Sequence, residues 1–239
     1  MFLNNARCLK GCGACLPYCP MRAIASDEAT GEMYIDQEEC VECEQCLRAD
    51  VCPSEALMMP ELGWPRILRS QFSNPLIVHP ETGVPGRGTE EMKTNDVTGR
   101  FSGDLMGMAV EMGRPGIGAR FHDIEMVAMA VAQTGVHFDP RNPVTHLMED
   151  VTTGKIRTDV LHEKVLSAII GFDLHRRKII PVLERLKEVA AVIDTVFSLG
   201  LTFRLERGKG RPITKLLQDA GFHPSRNGKM NMGLGSVTE

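Results

Sequence analysis

The sequence predicts an α+β protein in two parts. A small cysteine-rich unit occupies residues 1–60, and a βαββαβ α+β sandwich occupies residues 101–210. A Pro/Gly-rich arm, 61–100, joins them, and a helix with a tail, 211–239, closes the chain. Three observations predict this layout. All eight cysteines fall before Pro53. The arm carries Pro65, Pro75, Pro80 and Pro85 among Gly83, Gly86 and Gly88, without sustained periodicity. Beyond Arg100, strand-like and helix-like apolar patterns follow one another as strand, helix, strand, twice over.

The bounds are those of a globular chain. With 239 residues, 43% hydrophobic and 24% charged, it is long enough to bury a core over most of its length. No apolar run approaches the ~20 residues that span a bilayer, so no membrane is expected. The stretch Met1–Arg7 lacks the basic region and apolar core of a signal peptide, and the expected location is cytoplasmic. Charge is unevenly placed. Residues 1–60 hold four basic against ten acidic side chains, a net of −6, and the remainder is +2. An acidic unit excludes nucleic acid, whose phosphates require basic surface. It suits docking to a basic patch on a redox partner protein.

The cysteines form two runs. The first is Cys8-x3-Cys12-x2-Cys15-x3-Cys19-Pro20, the second Cys40-x2-Cys43-x2-Cys46-x5-Cys52-Pro53. Disulfides need an oxidising compartment. Zinc sites take ligands four at a time, often with histidine, and no histidine precedes His79. Three close thiols plus a fourth before proline is the layout of a cubane cluster, with three corners wrapped by a tight loop. The flanks repeat as well: Cys19-Pro20-Met-Arg-Ala23-Ile24 mirrors Cys52-Pro53-Ser-Glu-Ala56-Leu57. Gly11 and Gly13 sit where backbone must approach an inorganic core. Gly31–Asp36 alternates like a hairpin strand.

These motifs resemble the bacterial two-cluster ferredoxins, in which the fourth cysteine of each run ligates the other cluster. The resemblance implies two [4Fe–4S] clusters. Cys8, Cys12, Cys15 and Cys52 would hold one, and Cys40, Cys43, Cys46 and Cys19 the other. Two spacings depart from the family: x3 for x2 in the first run, and x5 for x3 at the end of the second. The first should enlarge the Cys8–Cys12 loop. The second should lengthen the helix start after Cys46.

An arm of this length exceeds an ordinary loop. Trp64, Phe72 and Leu76–Val78 supply more apolar surface than a free linker carries, so an ordered, extended arm anchored by Trp64 is expected. The polar stretch 90–100 reads as a turn or a partner loop.

In 101–210 the expected strands are Leu105–Glu111, Val136–Phe138 continuing toward Val144–Met148, Val165–Leu174 and Thr195–Leu205. The expected helices are Arg120–Gln133 and Ile179–Ile193, the latter with Pro181 in its first turn. This order resembles the ferredoxin-like split-βαβ sandwich, as in ACT-type domains. A further helix, Ile213–Ala220, follows. The methionines over 105–129 read as core filling, and the seven histidines are scattered without metal spacing.

The loop Gly113-Arg114-Pro-Gly116-Ile-Gly118-Ala-Arg120 leads from a strand into a helix. It reads either as a tight packed turn or as an anion or flavin-phosphate loop at a helix N-terminus. No other feature indicates a flavin. Residues 101–239 also faintly resemble a segment of iron–sulfur reductases of the 6-hydroxynicotinate reductase type.

The leading expectation is an electron-transfer subunit whose clusters relay single electrons to or from a partner oxidoreductase. The second part would serve for docking or homo-oligomerisation, since no acid, base or nucleophile is convincingly placed for catalysis. The alternatives are a small-molecule reductase fed by the clusters, and an ACT-like ligand or redox sensor.

Overall fold

The computed structural model describes residues 1–86, 100–101, 103–114, 116–204 and 212–225. The expected polar loop before Arg100 and the tail beyond Ser225 lie outside the described residues. Among the described residues, no helix is long and apolar enough to cross a membrane.

The N-terminal unit closes on itself through two ribbons. Strand β1 (Phe2–Leu3) pairs antiparallel with β4 (Leu57–Met58), joining the two ends of the unit. Strands β2 (Ile24–Ser26) and β3 (Met33–Ile35) form the expected hairpin. Its turn is held by the Asp27 carboxylate, which accepts from the Ala29 and Thr30 amides and the Thr30 hydroxyl at 2.8–3.1 Å. These bonds to the charged form hold Asp27 below the usual carboxylate range. The core of this unit is small. Met21, Ile24, Met33, Ile35, Val41 and Leu57 pack with the buried thiols of Cys15, Cys40 and Cys46. Helix α1 (Gln45–Arg48) is a single turn that contains Cys46.

The arm is not extended throughout. Helix α2 (Ile67–Ser73) lies within it and buries Leu68 and Phe72 in the core of the large domain. Its seven residues are too few to show a helical period between Pro65 and Pro75. Trp64 is half exposed. Its indole N–H donates to Asp159 at 2.7 Å, and the Arg157 guanidinium lies over its ring.

The large domain is built on one sheet. Its strands are β5 (Leu105–Met112), β7 (His137–Phe138), β11 (Ala168–His175) and β12 (Phe197–Thr202), in the spatial order β12-β5-β11-β7 with all neighbours antiparallel. Alternation with period two points Met106, Met108, Val110 and Met112 to one face beside Ala168, Ile170, Phe172 and Leu174, all buried. Helix α3 (Phe121–Ala132) covers that face with Phe121, Ile124, Val127, Ala128 and Val131. Helix α5 (Ile179–Val189) packs beside it through Ile179, Val182, Leu183, Leu186 and Val189. The i, i+3, i+4 spacing sets both stripes, and each fully buried large side chain contributes about 1.5–3 kcal/mol.

The smaller elements are β6 (Ala119–Arg120) paired with β10 (Lys164–Val165), a β8 (Met148–Asp150) and β9 (Lys155–Ile156) hairpin, α4 (Pro143–His146), and α6 (Pro212–Asp219). The strand expected to run from Val136 to Met148 stops at Phe138. Asn142 caps α4 by accepting from the Val144 amide at 2.9 Å, and Pro143 opens its first turn, so the chain turns helical there. Helix α5 ends at Val189, four residues earlier than its apolar pattern suggests.

Candidate metal centre

The first cysteine run is a coiled loop. Cys8 and Arg7 donate their amides to the Asn4 carbonyl, and the Cys12 amide donates to Leu9. The extra residue of the x3 spacing is taken up in this loop, whose Leu9 side chain is exposed. Gly11 and Gly13, on either side of Cys12, have φ of +73° and +62°. That left-handed pair turns the chain back so that Cys15 faces inward.

The second run repeats this backbone without glycine. The residues flanking Cys43 are Glu42 and Glu44, at φ +54° and +57°. The repeat extends to the residue three beyond each fourth cysteine, Arg22 at +55° and Glu55 at +49°. A side chain in this region costs about 1–2 kcal/mol, so the second loop is strained where the first is relaxed. Glu44 is tied down from outside, and Glu42 both from outside and by the Met1 ammonium within the unit. Arg66 donates to Glu42 at 2.8 Å, and Asn74 donates to Glu44 at 2.7 Å.

Around these loops lie two cavities. One is walled by Cys8, Cys12, Cys15 and Cys52 with Leu3 and Met33. The other is walled by Cys40, Cys43, Cys46 and Cys19 with Ile24 and Ile35. Each therefore combines three thiols of one run with the fourth cysteine of the other. Each fourth sulfur accepts an amide N–H from the residue four positions later: Ala23 to Cys19 and Ala56 to Cys52, both at 3.2 Å.

The two sites differ in burial. Cys12 is exposed and Cys8 half-buried, whereas Cys40 and Cys46 are buried. Burial pushes the thiols of Cys8, Cys15, Cys40 and Cys43 up, and that of Cys46 up to about 12, with its neighbours Cys43, Cys19 and Cys40 adding repulsion. Cys52 goes the other way. Burial opposes its ionisation, but the amides of Ala56, Ser54 and Leu57 and the Ser54 hydroxyl lower it on balance.

The acidic run of the N-terminal unit faces the rest of its own chain. Glu39 pairs with Lys164 and with Arg120 (3.2 Å), and Glu38 lies 3.7 Å from Arg120. Glu42 and Glu44 are taken by Arg66 and Asn74. Much of the acidity expected to meet a partner is thus satisfied within the molecule. Sequence inspection missed Arg66, Arg69 and Asn74. The available signal was that glutamates stand where the first run has glycines.

The loop 113–120 lies against the same unit. A Cβ on Gly118 would sit 2.7 Å from the Met21 methyl and 2.9 Å from the Val165 carbonyl oxygen. One on Gly113 would sit 2.7 Å from the Gly118 carbonyl carbon, and one on Gly116 3.6 Å from the Pro20 carbonyl oxygen. The amides of Gly113, Ile117 and Gly118, and those of Phe121 and His122 at the start of α3, donate to protein carbonyls. Arg114 pairs with Glu111 at 2.6 Å, and Arg120 is held by Glu38, Glu39 and the His162 carbonyl. These amides and both guanidinium groups thus have partners within the protein.

Among the described residues, no three His, Cys, Asp or Glu side chains converge closely enough to hold a single ion. The thiols instead stand back around apolar-walled voids, four to each. That donor set fits a four-iron cubane, whose irons each take one thiolate. A family model described as a 4Fe-4S dicluster domain matches residues 7–56, the stretch that contains both runs. No curated protein matches the chain, and no solved structure does. The N-terminal unit is accordingly an iron–sulfur domain carrying two [4Fe–4S] clusters.

Proposed function

We propose that this chain is an electron-transfer subunit in which Cys8, Cys12, Cys15 and Cys52 hold one cluster and Cys40, Cys43, Cys46 and Cys19 hold the other. The observation that carries the assignment is the pair of cavities, each walled by three thiols of one run and the fourth cysteine of the other. When bound, each cluster stores and releases single electrons, and its potential depends on burial and on hydrogen bonds to sulfur.

The residues divide the two sites by role. Exposed Cys12, with the exposed apolar side chains of Leu9, Leu16 and Tyr18 nearby in the sequence, makes the first site the port for a redox partner. Cys40 and Cys46 are buried, on the side held by Arg66, Arg69, Arg120 and Lys164. Differences in burial would give the two sites different potentials.

The large domain reads as the platform on which this relay is mounted. Its βαββαβ order and its β12-β5-β11-β7 sheet support the split-βαβ, ferredoxin-like sandwich.

Metal analysis of anaerobically purified protein tests the reading. About eight irons and eight sulfides per chain are expected for two four-iron clusters. About four irons, or zinc in their place, overturns it.

A further inference from the structure

Helix α2 lies beyond the stretch that the dicluster family model matches, yet it reaches back to the second cysteine loop at every turn. Arg69, which is 3% exposed, is the centre of this contact. Its Nη1 donates to three backbone carbonyls: Gln37 at 2.8 Å, Glu38 at 3.2 Å and Cys40 at 2.8 Å. The segment that delivers Cys40 is thus folded around one guanidinium. Its Nε pairs with Glu163 on the large domain.

The flanks of the helix act on the same loop. Arg66 holds Glu42 and donates to the Gln37 carbonyl, and Asn74 holds Glu44 and accepts from Arg48 at 3.1 Å. Glu42 and Glu44 are the two residues forced into left-handed backbone where the first loop has glycines. The opposite side of α2 is fixed in the large domain. The Phe72 ring meets Phe121 edge-to-face with centroids 5.3 Å apart, and the Ser73 hydroxyl accepts the Leu166 amide at 2.8 Å.

We infer that α2 is a clamp dedicated to the second cluster loop, with Arg69 as the positioning residue that shapes the entry to Cys40. The inference rests on the two-cluster reading above and adds to it that the cysteine-rich unit is incomplete without α2. The physical case is an asymmetry. The first loop reaches its left-handed turns with glycine and needs no outside support. The second reaches them with side chains, and its three converging carbonyls have Arg69 as a shared donor. Without that donor, buried acceptors lose a charge-assisted partner. Lysine has no planar fork with which to span the carbonyls and the Glu163 carboxylate together.

The test uses the full chain, reconstituted with iron and sulfide under anaerobic conditions. Three readouts are taken: iron per chain, the reduction potential of each cluster, and alkylation of each cysteine by iodoacetamide followed by mass spectrometry. Arg69→Gln is expected to unprotect Cys40, Cys43, Cys46 and Cys19 while leaving Cys8, Cys12, Cys15 and Cys52 protected. Iron should fall from about eight to about four per chain. Arg69→Lys should give the same selective loss, or retain both clusters with only the second one's potential shifted. Glu163→Gln removes the carboxylate charge from the tie to the large domain but leaves the three carbonyl bonds, and should keep both clusters. Equal loss at both sites in Arg69→Gln, unchanged protection and potentials there, or loss in Glu163→Gln matching that in Arg69→Gln would overturn the inference. If the unmutated protein itself binds only about four irons, it is the two-cluster reading that fails, and the outcomes remain distinct.

Discussion

Replacing Cys19 by alanine is the sharpest probe of how the two cysteine runs interlock. Cys19 belongs to the first run, but its sulfur borders the cavity of Cys40, Cys43 and Cys46. Its removal takes one of four thiols from that site and none from the other. With four irons per complete site, the chain should drop from about eight irons to about four. Mass-spectrometric alkylation reads which four. In Cys19→Ala, the thiols Cys40, Cys43 and Cys46 should become reactive, while Cys8, Cys12, Cys15 and Cys52 stay protected. The surviving cluster should also be the more exposed one, because Cys12 is solvent-facing, and its visible absorbance should bleach faster in air than that of unmutated protein. Cys52→Ala is the mirror image. It should unprotect Cys8, Cys12 and Cys15 and leave the buried site loaded. Reactivity appearing at Cys8, Cys12 and Cys15 in Cys19→Ala would refute the exchange of fourth ligands and return each cluster to its own run.

Other consequences follow from packing and charge. Gly118→Ala forces a side chain into left-handed backbone at φ +75° and against Met21 and the Val165 carbonyl. It should cost about 1–3 kcal/mol, lowering the melting midpoint by about 2–4 °C for each kcal/mol; an unchanged midpoint would show that the loop gives way freely. Phe72→Ala removes a ring, 1% exposed, that joins α2 to the large-domain core, and should cost about 3–5 kcal/mol in a urea melt. Asp173 carries the pH prediction. Burial raises its carboxyl above the usual value even though Arg100 donates to it at 3.0 and 3.2 Å. Such a group stabilises the fold fully below its unfolded value, and that contribution is lost as pH rises through the folded one. Asp173→Asn should therefore flatten the decline in stability as pH rises above the usual aspartate range; urea melts over that rise that parallel those of unmutated protein would refute the assignment.

What the chain's own pattern determined is local. The thiol spacing and the absence of early histidine carried the cluster type, because a loop that wraps three corners is written in consecutive residues. Period-two stretches and i, i+3, i+4 stripes carried β5, β11, α3 and most of α5, because each buries one face of a regular element. Gly113 to Arg120 read as either a packed turn or an anion loop, since a sequence does not say whether an arginine meets a ligand or a neighbouring glutamate.

Tertiary structure decided most of the rest. The placement of the Cys19 sulfur beside the Cys40 run is not written in the spacing of either run, although the family resemblance implies it. The direction of the acidic run depends on Arg120 and Lys164, some eighty and more positions away, meeting Glu38 and Glu39. Arg69 is the clearest case. Nothing in its neighbours distinguishes it from a solvated surface arginine, and it becomes central only because three carbonyls of residues 37–40 fold onto it. Spacing reports what one segment can do; which partner a long polar side chain finds is settled when distant segments share the same buried space.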